Sequence, residues 1–173
     1  MRSTKTSNRK LLYFNPGHET AIQSGMIHYA PRASVRKMTA DLALLPLWYG
    51  KNKDYILIDE SIDSSFFLNT IPKELTPLPQ LITCSELKAQ TFREKIEAVP
   101  WGLSPQIVHY FETLQTESKQ LSIPQWKDEY AILTGRKTAA EYLKQVQEAL
   151  PDFHKIIPPQ FCTNTDQISR FIT

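Results

Sequence analysis

Short apolar runs rich in β-branched and aromatic residues recur along the chain, and each of them predicts a strand. Several runs are continuously apolar instead of alternating, which is typical of strands that are covered on both faces. We therefore expect a mostly parallel sheet. The five predicted strands are LLYFN (11–15), DYILID (54–59), PQLITC (79–84), IEAVPW (96–101) and KIIPPQFC (155–162).

Amphipathic stretches with helical spacing lie between these runs. Four helices are predicted, over residues 34–50, 104–115, 135–151 and 164–173. Pro46 breaks the first run and Pro151 ends the third. Ser104 caps the second, which has Pro105 at its first helical position, and Asn164 or Thr165 caps the fourth. Helices that separate buried strands give βαβ units. The predicted fold class is therefore α/β, a small Rossmann-like three-layer unit followed by a helix–strand–helix extension.

The pattern changes near Leu121, which divides the chain into three predicted parts. Residues 1–9 form a polar basic tail, residues 10–120 an α/β domain, and residues 121–173 a separate extension. The extension stops at Thr173 inside a helical pattern and has no C-cap glycine there. This ending indicates either a frayed terminus or a fragment of something longer.

Composition narrows the classes of function. The 173 residues are 41% hydrophobic and 22% charged, as in an ordinary globular domain. The formal charge of +2 comes from the basic tail; the remainder has no basic surplus with which to neutralise phosphates, so no nucleic-acid binding is expected. No apolar run is long enough to span a bilayer, which predicts a cytoplasmic protein without a membrane partner. Cys84 and Cys162 are far apart and predict reduced thiols.

The stretch NPGHET follows the first predicted strand and has the composition of a type II turn. Asn15 favours turns, Pro16 fixes φ at the second position, and Gly17 permits a positive φ at the third. In a parallel sheet this turn lies at the carboxyl edge, where α/β folds bind ligands. His18 and Glu19 would then point from the rim of a crevice, with His18 as a base or a substrate contact. The alternative is a turn that only ends the strand.

A metal site is not expected at this turn. The HExxH motif would need a histidine at the position of Ile22. His28 and His109 could converge in space, but no ligand spacing supports a metal there. GxGxxG and GxxxxGK[ST] are both absent, which disfavours dinucleotide and P-loop sites.

A second strand end, VPWGLSPQ, repeats the arrangement. Trp101, Gly102 and Ser104 precede a predicted helix whose free N–H groups could bind a phosphate or carboxylate. The alternative is a capped helix with Trp101 packed at the sheet edge. Arg32, the basic residue of APRASVRK nearest the turn, could grip a carboxylate, although a solvated face is the competing interpretation.

Five segments of the chain resemble parts of ATP-grasp proteins. GRKTAAEYLKQVQEALP with IIPPQFCTNTDQISRFI resembles the segment that introduces their central domain. LLYFNPGHET, YAPRASVRKMTADLALLPLWYG and VPWGLSPQIVHYF are similar to the amino-terminal part of uncharacterised bacterial proteins with an ATP-grasp-like second half. The resemblance implies that residues 10–120 are a pre-ATP-grasp domain and that residues 121–173 begin the ATP-grasp domain. Lys137 matches only the lysine that opens the family's helix.

The resemblance implies the substrate-side domain of an ATP-dependent carboxylate ligase that is not catalytic on its own. ATP and Mg²⁺ are expected for the full-length protein and not for this chain alone, because the family's ATP and Mg²⁺ residues would lie past Thr173. A small-molecule carboxylate is the expected partner, and a homodimer stays open. One alternative is a stand-alone α/β binding module without chemistry. Another is a hydrolytic enzyme centred on His18 and Glu19.

Overall fold

The computed structural model describes residues 9–72, 77–115, 121–150 and 164–167. The predicted strand at 155–162, residue Cys162, most of the basic tail and most of the last predicted helix lie outside these ranges. The described chain divides into two compact units, Met1–Trp126 and Lys127–Thr173. The sequence-based boundary near Leu121 lies a few residues before this division.

Five parallel strands form one sheet in the first unit, in the spatial order β3-β2-β1-β4-β5. This arrangement confirms the predicted α/β class with a parallel sheet. β1 lies at the centre, where Leu11 faces Tyr55 of β2 on one side and Ala98 of β4 on the other. The strands are β1 (Lys10–Tyr13), β2 (Tyr55–Ile58), β3 (Gln80–Thr83), β4 (Ile96–Pro100) and β5 (Leu121–Ser122).

Short helices follow the strands. The first unit contains α1 (His18–Ser24), α2 (Ala33–Asp41), a 3₁₀ turn (Leu45–Trp48), α3 (Ser65–Thr70), α4 (Cys84–Ala89) and α5 (Pro105–Leu114). The second unit contains α6 (Glu129–Leu133) and α7 (Arg136–Ala149). Ser104 caps α5 and Pro105 opens it, as predicted. The helix predicted over 34–50 is interrupted after Asp41, and Pro46 is buried within the 3₁₀ turn.

Apolar side chains pack on both faces of the sheet. Leu11 and Leu57 belong to one buried cluster together with Phe111 of α5, whereas Leu12 and Ile56 belong to a second cluster. Successive strand residues therefore point into different cores, which is why β2 is buried at all four positions. Two helical layers around one sheet make this a small Rossmann-like three-layer unit.

In the second unit, α7 has the predicted length but little burial. Ala140 is its buried residue, and the predicted stripe of Ala139, Leu143, Val146 and Leu150 is half-buried or exposed. At the start of the last predicted helix, the Asn164 side chain accepts a hydrogen bond from the Gln167 N–H at 2.9 Å. That contact is the expected N-cap bond.

Candidate ligand-binding site

The strand order creates a switch point beside β1. The chain builds β1, β2 and β3 outward in one direction and then crosses over to place β4 on the other side of β1. Loops that leave the carboxyl ends of β1 and β4 therefore diverge, and open α/β sheets bind ligands at such points. The two stretches singled out from the sequence, NPGHET and VPWGLSPQ, are these two loops.

The two loops are joined by the Asn15 side chain. Its Nδ2 donates to the Gly102 carbonyl at 2.7 Å, and its Oδ1 accepts from the Gly102 N–H at 3.0 Å. The Trp101 N–H also donates to the Tyr13 carbonyl at 2.8 Å. The Asn15 amide thus extends the pairing of β1 with β4 beyond the ends of the strands. This bonding gives Asn15 a structural role, and its predicted contact with a substrate stays a prediction.

His18 lies directly against Gly102. A Cβ atom at residue 102 would come within 2.0–2.2 Å of the imidazole ring, so only glycine leaves room for the ring in this position. The His18 Nδ1 atom is buried and has no hydrogen-bond partner in the part of the chain that the structure describes. His18 is the first residue of α1 and lines the cavity described below.

Gly17 adopts a conformation different from the predicted one. Its φ is −83° and its ψ is 9°, and the His18 N–H donates to the Asn15 carbonyl at 3.3 Å. These angles are typical of the third position of a type I turn, so the type II prediction is wrong. Glycine is instead required by packing, because a Cβ there would lie 2.7 Å from the Val35 side chain of α2.

A cavity of about 470 Å³ opens at the carboxyl ends of β1 and β2, between α2 and α5. That size and position are usual for small-molecule sites. Apolar side chains form much of its wall, and polar groups converge on it from both strand ends. The lining residues with polar side chains are Tyr13, Asn15, His18, Tyr29, Arg36, Thr39, Asp59, Ser61, Gln106 and Tyr110.

Two of these side chains carry opposite charges. Arg36 comes from α2, and Asp59 directly follows β2. The Ser61 hydroxyl and then the Ser61 N–H donate to Asp59, at 2.6 and 2.9 Å, and these bonds hold the pKa of the carboxyl below its ordinary value. Among the described residues, neither Arg36 nor Asp59 takes part in an ion pair.

Two tyrosines on the cavity wall remain neutral. Burial is the main cause that raises the pKa of Tyr13 and Tyr110 above the ordinary value of 10.0. The Tyr110 hydroxyl also lies 3.1 Å from the Cys84 sulfur, a hydrogen bond that raises its pKa further. Cys84 is a half-buried free thiol, as predicted. The two rings pack at 5.5 Å between centroids.

The other predicted site residues lie outside the cavity lining. Ser104 is fully buried, and its hydroxyl accepts from the Ile107 N–H at 3.2 Å, as in the capped-helix alternative. Trp101 is 52% exposed and meets Phe14 edge-on. Arg32 precedes α2 at its N-cap position, and Glu19 is exposed in the first turn of α1. Their proposed substrate contacts stay predictions.

His28 and His109 do meet in the fold. Their rings pack edge to face at 4.9 Å between centroids, and Glu112 lies 3.7 Å from the Nδ1 atom of His109. In the described ranges, no group of three or more His, Cys, Asp or Glu side chains could hold a metal ion. None of the described helices has both the length and the apolar character needed to cross a bilayer.

The fold and the cavity define a class, that of small Rossmann-like α/β units with a ligand-sized cavity at the switch-point edge. Comparison of the chain with protein-family models, with curated proteins and with solved structures gave no match. The resemblance to ATP-grasp proteins therefore depends on the quoted sequence segments alone.

Sequence reasoning did not identify Asp59, Tyr13 and Tyr110 as cavity residues, and among the basic residues of APRASVRK it preferred Arg32 to Arg36. Asp59 could have been found, because it is the first polar residue after a continuously apolar strand and so belongs to the same edge as NPGHET. Arg36 lies one helical turn after Arg32, and the choice between them needs the orientation of α2. The tyrosines have the pattern of core residues, which gives no signal of a site.

Proposed function

We propose that the first compact unit binds a small-molecule carboxylate in this cavity, as the substrate-side domain of an ATP-dependent ligase of the ATP-grasp kind. The observation that carries the binding function is the cavity of about 470 Å³ at the carboxyl edge of the sheet. Arg36 on its wall supports the preference for a carboxylate, because a guanidinium can donate two parallel hydrogen bonds to it.

The ligase context is supported by the sequence resemblance. Such ligases convert a carboxylate into an acyl phosphate with ATP, and an amine or thiol then displaces the phosphate. The protein contributes mainly position and charge neutralisation to both steps. In this unit, His18 would serve as a polar contact at the reacting end, since its ring is held against Gly102 beside the cavity.

Titration of the chain with benzoate and 4-methylpentanoate, followed by amide NMR, tests the binding function. We expect shifts at the amides of Gly17, His18 and Tyr110, which lie around the cavity. Arg36→Met should weaken the binding by about tenfold, the loss that corresponds to one charged hydrogen-bonded contact. Lys37→Met is the matched control, because Lys37 is the next residue on α2 and pairs with Asp41 outside the lining.

Shifts that are absent or confined to other parts of the sheet would contradict carboxylate binding here. The ligase context has its own test in the encoded sequence past Thr173, where lysine-bearing, glycine-rich strands are expected. A continuation without them would reject the ligase and leave a binding module, which is the second candidate function that the cavity supports.

A further inference from the structure

We infer that the ligand of this cavity is a zwitterion, a molecule that carries a carboxylate, an ammonium group and an apolar body, as an α-amino acid with an apolar side chain does. The inference rests on the proposed carboxylate-binding function and adds the amine and the apolar body to it. It follows from the charges and the apolar lining of the cavity wall.

The wall offers one permanent charge of each sign. Arg36 of α2 and Asp59, which follows β2, both line the cavity, yet they do not pair with each other, and no other ion pair involves them in the described part of the chain. Opposite charges on one wall that leave each other unpaired are complementary to a ligand with both charges. A simple carboxylate would satisfy Arg36 and leave Asp59 unused.

The hydrogen bonds of Asp59 favour its ionised form and leave one carboxylate oxygen able to accept a further hydrogen bond. Both hydrogen bonds from Ser61 go to its Oδ1 atom. No described residue donates to Oδ2, and an ionised carboxylate accepts through both oxygens. The free oxygen is therefore suited to an ammonium group. Tyr13 and Tyr110 add no competing charge, because their hydroxyls stay protonated at neutral pH.

The remaining wall suits an apolar body. Lining residues with apolar side chains come from β2, α2 and α5 and from the segments that adjoin β1, β2 and α2, so the apolar surface is not limited to one side of the cavity. They are Phe14, Pro31, Val35, Ala40, Ala43, Leu57, Ile58, Ile62 and Ile107. Such a wall stabilises an aliphatic or aromatic group by removing it from water. A strongly polar zwitterion would leave this surface unused.

Two matched triplets of probes separate the charges. Leucine is compared with 4-methylpentanoate and isopentylamine, and phenylalanine with 3-phenylpropionate and phenethylamine, each by calorimetry on the 173-residue chain. In at least one triplet, we expect the amino acid to bind about tenfold more tightly than either analogue, as a second charged contact requires. Asp59→Asn should remove this advantage without weakening the binding of the carboxylate analogue, which has no ammonium group for Asp59 to contact.

The chain provides a close control for Asp59. Asp63 accepts from Ser65 in the same way, at 2.9 Å from the N–H and 2.6 Å from the hydroxyl, but it does not line the cavity. Asp63→Asn should therefore leave the affinity for the amino acids unchanged. An equal loss in both variants would mean a general change of charge and would overturn the inference.

The outcomes also separate this inference from the proposed function. Equal binding of amino acids and their carboxylate analogues, with no effect of Asp59→Asn, overturns the zwitterion and leaves carboxylate binding standing. Best binding by the amines, without an effect of Arg36→Met, overturns both. Absence of binding for all six compounds also overturns both.

Discussion

The two loops at the switch point lie at the ends of the paired strands β1 and β4 and have different tasks. NPGHET, after β1, places Asn15, Gly17 and His18 on the cavity wall. VPWGLSPQ, at the end of β4, places Gln106 there but none of Trp101, Gly102 and Ser104. Gly102 exchanges two hydrogen bonds with the Asn15 side chain and leaves room for the His18 ring. Ser104 caps α5.

The difference shows that the loop after β1 can place side chains on the cavity wall only because the loop after β4 fixes their positions. The His18 ring rests on the Gly102 backbone, and the Asn15 amide is bound at both its oxygen and its nitrogen. Side chains fixed in this way lose little conformational entropy when a ligand binds. A change in the second loop should therefore act on binding through the first, and the following variants test that dependence.

Gly102→Ala should have the largest effect. The new Cβ would overlap the His18 ring, so we expect a loss of about 3 kcal/mol in the free energy of unfolding, the usual range for an overpacked site. Ligand affinity should fall as well, because the displaced ring is part of the cavity wall. Urea denaturation and calorimetry measure the two losses.

A double-mutant cycle isolates the cause. Gly102→Ala combined with His18→Ala should lose less stability than the sum of the single variants, because the overlapping ring is gone. Additive losses would show that residue 102 acts through its own backbone and would break the comparison of the two loops.

Asn15→Ala should come next. It removes two partly buried hydrogen bonds to Gly102, and we expect a loss of about 2 kcal/mol in the free energy of unfolding. Asn15→Asp keeps the acceptor for the Gly102 N–H but places a carboxylate oxygen against the Gly102 carbonyl, so it should not restore stability. Full stability of the aspartate variant would argue against the two-bond clamp.

The sequence predicted the sheet better than the site because strands and sites depend on different information. β2, β3 and β4 lie within the predicted runs and β1 begins one residue before its run, since burial on both faces leaves a continuous apolar pattern. β5 escaped prediction because two residues, Leu121 and Ser122, are too few to show a period. The short helices α1, α3, α4 and α6 span five to seven residues and have the same lack of signal.

The location of the candidate site could be predicted from the sequence, but the residues that line it could not. The carboxyl edge and the two loops follow from the strand order that a parallel sheet imposes. Which of Arg32 and Arg36 faces the cavity depends on the rotation of α2, and the fit of His18 on Gly102 depends on distances of a few ångströms. Neither quantity is encoded in residue type or spacing.

Ser104→Ala should have a smaller effect that is confined to stability. The variant removes the bond from the Ile107 N–H to the cap, at a cost of about 1 kcal/mol, and leaves the cavity wall intact. Thr83→Ala, which opens the capping box of α4, is the matched control, and its loss should be similar. A loss of ligand affinity for Ser104→Ala alone would give the second loop the anion-binding task that its helix start suggested.

The smallest effect is expected at a third strand end, that of β2, where Ser61→Ala should raise the pKa of Asp59 towards its ordinary value of 3.8. The serine hydroxyl is the main cause of the lowered pKa, followed by the Ser61 N–H, which the variant keeps. A lowered folded-state pKa contributes stability that is present above the unfolded value and is lost as the pH falls through the folded one.

Carboxyl NMR titration of the wild type, of Ser61→Ala and of Ser65→Ala measures this shift. Ser65→Ala should move Asp63 and leave Asp59 unchanged, since each serine donates to its own aspartate. If Asp59 keeps its low pKa without the hydroxyl, the N–H alone orients the carboxylate. A backbone N–H, that of Ser61, would then be sufficient to orient the Asp59 carboxylate. In the same way, the Gly102 N–H donates to the Asn15 side chain.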